Sequence, residues 1–412
     1  MKTLTPTPMK GFSKRRRPPD SPASAQSRTI LIISRTFLPK EGGIEEYVYN
    51  RSLQDPLQVI LLTAQYPGDR QFDAQQPFPV YRWWLPTNLP SGTLGSVLKQ
   101  ILNMVGAFVM ALQLYRRYRY TSIEFGHGYD FPSLLLLSYL LPVQCFIYLH
   151  GNDVLCPLEN FWIRSLFAWT LNRMTGIACN SHFTRDYVQN ELTLHRPFSV
   201  IHPTVRPSKF GLTVPPPPNL AARHRLRAAY HIPEHATVLL TVGRLVRRKG
   251  FHRVIQHIPS LLVDGLDVHY VICGRGEMEL ELKELAQRLG VADRVHFAGY
   301  VTDHDLSDYY ATADLFVMLT MFDVKSASIE GFGIVYREAG FFGKPVLATR
   351  IGGVEDAVLH GKTGFLVPPH AEQMIADTLR QLCRDTALRD RLGEKGREVA
   401  RQVTPHRSLY VP

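Results

Sequence analysis

What most limits the fold of this chain is a series of short apolar runs, each leading through a loop into a helical stretch, that plays out twice. In the first half the runs fall at 29–34, 59–63, 80–84, 122–126, 145–149, 176–179 and 198–202; in the second at 238–242, 268–273, 295–298, 315–319, 346–348 and 364–367. Runs this short and continuously apolar read as strands buried on both faces. Helical stretches between them, such as 277–289 and 303–311, imply parallel strands with helices on both sides. Residues 203–235 break the rhythm with four prolines at 215–218 and a short basic helix around 223–230. With 412 residues, too many for one ordinary core, the expected architecture is α/β with two doubly wound parallel-sheet domains. The expected divisions are a basic tail at 1–28, a first domain at 29–202, a linker at 203–235 and a second domain at 236–412. Ligands of open parallel sheets bind beyond the carboxyl ends of the strands, so two facing sheets predict a cleft lined by those loops.

The segment EGFGIVYREAG at 330–340 carries the most chemistry. Gly331 and Gly333 permit backbone conformations that a Cβ forbids, so the amides of Phe332, Gly333 and Ile334 are candidates for a shared oxygen-binding concavity. With a helix opening near Gly333, Glu330 sits in the loop before it and Glu338 in its second turn. Their axial separation would be about 12 Å if all were helical. Glycosidase carboxyls lie about 5 to 9.5 Å apart across one bond. Glu330 and Glu338 therefore read as hydroxyl acceptors at opposite ends of a long ligand. The plainer alternative is a loop charge and a surface helix residue.

Other segments fall in an order that identifies a relationship. Gly42-Gly43 follows the first strand, His150-Gly151-Asn152-Asp153 ends a later one, and Asn180-Ser181-His182-Phe183-Thr184 precedes the linker. VGRLVRRKG (242–250), CGRG (273–276), HFAGYV (296–301), GKPVLAT (343–349), Gly352-Gly353 and TGFLVPP (363–369) follow. Together with the two glutamates these segments resemble the group 1 glycosyltransferases, the retaining family-four class with the GT-B fold of two facing Rossmann-like domains. The resemblance covers residues 29 to about 400. It implies transfer of a mannose- or glucose-type hexose from a nucleoside diphosphate sugar to a hydroxyl on a glycan or lipid-linked saccharide.

The resemblance also assigns roles. Arg244 and Lys249 would neutralise the departing diphosphate, as a fork and a point charge respectively. Arg247 and Arg248 read as a solvated turn beside them. His150 would contact the donor sugar, with His127 a weaker candidate. Glu330 would bind sugar hydroxyls and stabilise positive charge at the anomeric carbon, and Glu338 would hold the ribose. Gly42, Gly43, Gly274, Tyr300, Val301, Phe332, Gly333, Ile334 and Val335 complete the donor site, with base selection around Gly299–Val301. No metal or other cofactor is expected, because Arg244 and Lys249 take a cation's place. A sugar-nucleotide epimerase and a non-catalytic binding protein of the same fold are the alternatives.

Two departures stand out. Pro203-Thr204-Val205 lies where relatives often carry Asn-Gly after the proline, so the hinge is expected to differ. The chain ends at Pro412, where relatives continue into a helix crossing back to the first domain, so looser closure is expected.

Charge and apolar patterning set the expected surroundings. Residues 1–28 hold seven Lys and Arg against one Asp, so +6 of the formal +11 sits in a Pro- and Ser-rich tail that reads as disordered. Its KRRR cluster is compatible with an anionic lipid surface. No recognition fold accompanies it, so nucleic acid is not an expected partner. The uncharged window 131–149 is divided by Pro132 and Pro142 and reads as a short helix and a strand rather than a membrane span. Residues 94–120 join an apolar helix to the basic aromatic end YRRYRY, a core helix or one lying on an anionic membrane. Five scattered cysteines without ligand spacing point to a reducing cytoplasm, at the inner face of a membrane if such contact is made.

Overall fold

The structure is a computed structural model that describes residues 29–85, 92–217, 219–323, 328–403 and 405–410. The tail and its KRRR cluster lie outside the described residues. Among the described residues thirteen strands form two sheets whose pairings are all parallel. The first holds β1 (Ile30–Ser34), β2 (Val59–Ala64), β3 (Val80–Trp83), β4 (Ser122–Phe125), β5 (Gln144–Leu149), β6 (Gly176–Cys179) and β7 (Phe198–Val200), in the order β3-β2-β1-β4-β5-β6-β7. The second holds β8 (Thr237–Val242), β9 (Val268–Cys273), β10 (Val295–Gly299), β11 (Leu315–Met318), β12 (Val346–Thr349) and β13 (Gly364–Val367), in the order β10-β9-β8-β11-β12-β13. Each sheet is covered by apolar side chains on both faces, which explains why the strands lack alternation.

Strand order changes direction between β1 and β4 in one sheet and between β8 and β11 in the other. At such points adjacent loops diverge to opposite faces and leave a crevice. The Gly42-Gly43 loop leaves β1, and the loops of Arg244–Lys249 and Glu330 leave β8 and β11. Topology therefore gathers residues more than 80 positions apart at one sheet edge.

The linker segment is structured. A 3-10 turn at Pro207–Phe210 is followed by the helix Leu220–Ala229, which packs on the helix Asp303–Thr312. Arg227, with no exposed side-chain surface, bonds Asp314 at 2.9 Å and the carbonyls of Pro233 and Ala236.

Closure at the C-terminal end is not loose. Beyond the helix Thr386–Ala400, a 3-10 turn at His406–Tyr410 returns to the first sheet. The His406 amide donates to Gln54 Oε1 at 3.0 Å, and the Tyr410 ring meets Phe146 edge-on at 4.8 Å. The Tyr410 hydroxyl donates to Glu124, a buried carboxylate that also accepts from Arg51 at 2.6 and 2.7 Å and from Tyr148 at 2.6 Å. Burial pushes the Glu124 carboxyl up, but Arg51 and these hydrogen bonds outweigh it and keep it ionised.

The helix Thr93–Tyr118 is less buried than a core helix. Asn103, Ala107, Ala111 and Leu114 form its inward stripe, while Val97, Ile101, Val105 and Val109 face outward. By length and composition it is apolar enough to cross a membrane, but its inward stripe packs on β2, β3 and the helix Phe131–Leu140.

Candidate functional site

The loop after β8 places two cations on one carboxylate. Residues Arg247–Lys249 form a 3-10 turn closed by Gly250, whose φ of +74° lies in the left-handed region. A Cβ at Gly250 would collide with the Leu319 carbonyl, and the Met321 amide donates to the Arg248 carbonyl at 2.8 Å. The turn is thus seated on the end of β11, next to the loop of Glu330. Lys249 Nζ donates to Glu330 Oε2 at 2.5 Å and Arg248 Nη1 donates to the same oxygen at 2.9 Å. All three side chains are nearly buried.

Burial pushes the Glu330 carboxyl up, but Lys249 and Arg248 outweigh it and hold it at about 2. Burial holds the Lys249 amine below its ordinary value despite Glu330. The two shifts pull in opposite senses on the strength of the pair, and the depressed carboxylate decides the charge state, since two cations converge on one anion. Arg248 is therefore no solvated turn residue; Arg247 is, being exposed and paired with Glu281 at 3.2 Å. Arg244 is exposed and makes no side-chain bond among the described residues, yet it lies near enough to Lys249 to disfavour its charge.

Glu338 is also buried, contrary to a surface helix position. The helix Ile334–Phe341 opens at Gly333, with φ of +82°, and sets Glu338 in its second turn. One carboxylate oxygen accepts from Lys209 Nζ at 2.7 Å and the other from the Tyr310 hydroxyl at 3.0 Å. Lys209 also lies 3.6 Å from Asp303, and these acids outweigh burial to raise its amine. The first-turn amides of Ile334 and Val335 have no carbonyl within the helix to receive them.

The first domain grips this loop directly. Asn152 bonds Ser328 Oγ at 3.1 Å and the Ile329 amide at 3.0 Å. Gly331 sits against the His150 carbonyl so closely that a Cβ would overlap it. The His150 ring donates from Nε2 to the Gly126 carbonyl at 2.9 Å and stands edge-on to Tyr47, which leaves Nδ1 as the acceptor. His127 is buried; its Nε2 accepts from the Arg35 amide at 2.6 Å, and burial, then Arg35, depress it to about 3. It is a fixed structural histidine, not a cleft group.

Gly42 and Gly43 open the helix Gly43–Gln54, but the Glu45 carboxylate folds back to where a Cβ on Gly42 would lie. Any phosphate approaching those amides meets that charge. Across the cleft, the Tyr300 hydroxyl donates to Glu41 at 2.5 Å, beside half-buried Val301. Gly274, with φ of +143°, packs on the Gly243 carbonyl and ties the β9 loop to the β8 loop. Phe332 offers no open side chain; it is buried and stacked on His202 at 5.4 Å.

The structure thus brings Lys249, Arg248 and Glu330 together, sets Glu338 with Lys209 and Tyr310, and leaves Gly42 and Tyr300 at facing rims. Sequence reasoning gave no role to Lys209, Tyr310 or Asn152 and read Arg248 as part of a solvated turn. Arg248 was adjacent to a chosen residue, and Lys209 reaches Glu338 from 129 positions away with no local signal.

Comparison with known proteins decides the family. The profile described as glycosyl transferases group 1 matches residues 222–399, and that of glycosyltransferase family 4 matches 42–209. A Mycobacterium tuberculosis protein described as a GDP-mannose-dependent alpha-(1-6)-phosphatidylinositol monomannoside mannosyltransferase is 38% identical over 382 residues, covering 90% of this chain and 92% of that one. The chain belongs to the group 1 glycosyltransferases. This glycosyltransferase also resembles a Mycolicibacterium smegmatis protein of the same description, at 26% identity over 90% of this chain and 93% of the relative. In fold it matches Anabaena HepE, solved with UDP, at a TM-score of 0.73 and 20% identity over 92% of this chain and 97% of that one. The sucrose-phosphate synthase of Thermosynechococcus elongatus gives 0.73 and 20%, covering 93% and 96%. The GT-B fold of this glycosyltransferase is thereby established, and its activity is glycosyl transfer from a nucleotide sugar.

Proposed function

We propose that this glycosyltransferase moves a hexose, mannose before glucose, from a nucleoside diphosphate sugar to a lipid-linked saccharide, with retention and without a metal. The observation that carries the reading is the ionised Glu330 clamped by Lys249 and Arg248 beside the opening of the Ile334–Phe341 helix. A diphosphate entering the cleft competes for the two cations, which frees a Glu330 oxygen for a sugar hydroxyl and for charge developing at the anomeric carbon. The bond from the anomeric carbon to phosphate oxygen breaks as the acceptor oxygen bonds on the same face. The acceptor proton passes to the departing phosphate. Arg244, which has no side-chain partner among the described residues, completes a cationic set of three side chains, which supports a reaction without a metal. Glu338 reaches the ribose once Lys209 is displaced.

The donor preference rests on the mycobacterial relative, and the lipid-linked acceptor on that relative and on the apolar outer face of the first domain. A cytoplasmic location against the inner face of a membrane fits both. The test is binding and hydrolysis of GDP-mannose, UDP-glucose and UDP-N-acetylglucosamine by purified protein with and without chelator. One donor is expected to bind in both conditions. Lys249→Ala is expected to weaken it, and Glu330→Gln to lower turnover by about 10²- to 10³-fold, the cost of losing one charge-stabilising group. Loss of turnover on chelation that Mg²⁺ or Mn²⁺ restores and Zn²⁺ does not would overturn the metal-independent reading; an unchanged Glu330→Gln would overturn the site.

A further inference from the structure

We propose that His182, His202 and Asp356 form a binding site for a divalent transition-metal ion, Zn²⁺ by chemistry, that ties the two domains together beside the donor loop. One potential ligand atom from each residue lies within 4.8 Å of the others. The ligands come from separate places: His182 begins the helix His182–Glu191 after β6, His202 follows β7, and Asp356 sits in the short helix Val354–Ala357 of the second domain.

The hydrogen bonding of His202 already has the pattern that a ligand needs. His202 Nδ1 lies 3.2 Å from the Asn180 carbonyl, so the proton belongs on Nδ1 and Nε2 carries a lone pair. Orientation of a ligating imidazole through its other nitrogen is the usual supporting arrangement in metal sites. The Phe332 ring, stacked on His202 at 26°, fixes the plane of that imidazole. His182 Nδ1 and Asp356 Oδ1 are 2.8 Å apart, and the other Asp356 oxygen accepts from the His182 amide at 2.5 Å. Tetrahedral Zn²⁺ with bonds near 2.0–2.1 Å sets its ligands about 3.3 Å apart. Nδ1 and Oδ1 open by about half an ångström as the proton between them moves to His182 Nε2, and ligand atoms as far as 4.8 Å apart close by up to about 1.5 Å, with the amide bond still holding the carboxylate.

The donor set selects the metal. Two imidazoles and one carboxylate suit Zn²⁺, Ni²⁺ or Co²⁺ and disfavour Mg²⁺, which prefers oxygen ligands and retains its water. His182 is half exposed, so an ion reaches the site and a water completes the coordination. With Asp356 on one domain and both histidines on the other, the ion would clamp the cleft closed. Through Phe332 it would also steady the loop two residues beyond Glu330. This role is separate from the transfer chemistry and does not depend on the donor's identity.

The test is a calorimetric titration of chelator-treated, tag-free full-length protein with Zn²⁺, without nucleotide sugar. Alongside it, spin labels on the two domains report the interdomain distance distribution. The expected result is one equivalent of Zn²⁺ bound, insensitive to excess Mg²⁺, with a narrowed distance distribution. His202→Ala and Asp356→Asn are each expected to weaken binding at least tenfold and abolish the narrowing; Asp356→Asn keeps an oxygen for the His182 amide and so guards against a folding defect. Absence of Zn²⁺ binding overturns the proposal. So does binding that both variants retain, which would locate the ion elsewhere, or binding with an unchanged distance distribution.

Discussion

Glu330 concentrates the electrostatics of the cleft. Its carboxyl is held at about 2, against an ordinary value near 4.5, by Lys249 and Arg248. A group depressed on folding stabilises the native state above its unfolded value and loses that contribution as pH falls through the folded one. The stabilisation, on the order of 3 kcal/mol for a shift of this size, is therefore present above about pH 4.5 and lost toward pH 2. Urea denaturation between pH 6 and pH 3 is expected to show a falling stability that is shallower in Glu330→Gln; parallel slopes would mean that the pair is not formed. Arg248→Ala is expected to raise the carboxyl toward its ordinary value and to weaken donor binding. Glu330 and Glu338 stood out in the sequence because glycine turns and a helix start bracket them, and Lys249 through the family resemblance. Arg248 did not, because two adjacent arginines before a lysine look like a solvated turn until β11 supplies the surface that buries one of them.

Among the elements, the strands were the most legible. Every apolar run became a strand with ends shifted by at most two residues, because a parallel strand covered on both faces must be continuously apolar. The helix Ile334–Phe341 opened at the glycine the sequence indicated. What local pattern does not contain is contact between elements: Lys209 reaching Glu338 from the linker, or Asn152 reaching the loop after β11. The contact of Gly331 with His150 yields a prediction. Gly331→Ala forces a methyl against the His150 carbonyl, and backbone at that position cannot swing aside as a flexible side chain would. A cost of about 1–3 kcal/mol, typical of overpacking, is expected to fall on domain closure. The variant should show a lower kcat/KM with its nucleotide-sugar donor and a broadened interdomain distance distribution, whereas unchanged kinetics would show that the grip is dispensable.

At the scale of the whole molecule the apolar outer face is the feature that composition alone concealed. Phe161 and Trp162 are 71% and 79% exposed, and Trp84, Trp169, Tyr139, Leu140 and Ile101 are also exposed. The helices that carry most of them adjoin one another in the first domain. Arg173 lies over Tyr139 at 4.5 Å, and Arg116 and Arg117 end the long helix. Aromatic side chains with neighbouring arginines suit a bilayer interface. Flotation with phosphatidylglycerol vesicles is expected to recover the protein, with less recovered on phosphatidylcholine and less at high salt. Replacing Phe161 and Trp162 by Ser is expected to reduce partitioning about tenfold or more, as loss of this much apolar area implies; undiminished flotation would place the contact elsewhere.

The return of His406–Tyr410 to the first sheet bears on how the protein is made. Glu124 and Arg51 are synthesised early, yet the tyrosine that caps their buried pair follows the entire second domain in the chain. A ribosome releases the first domain with that seam still open. The first domain can complete its native packing only after the second has been translated, because the residues that close its seam are the last of the two domains to be made.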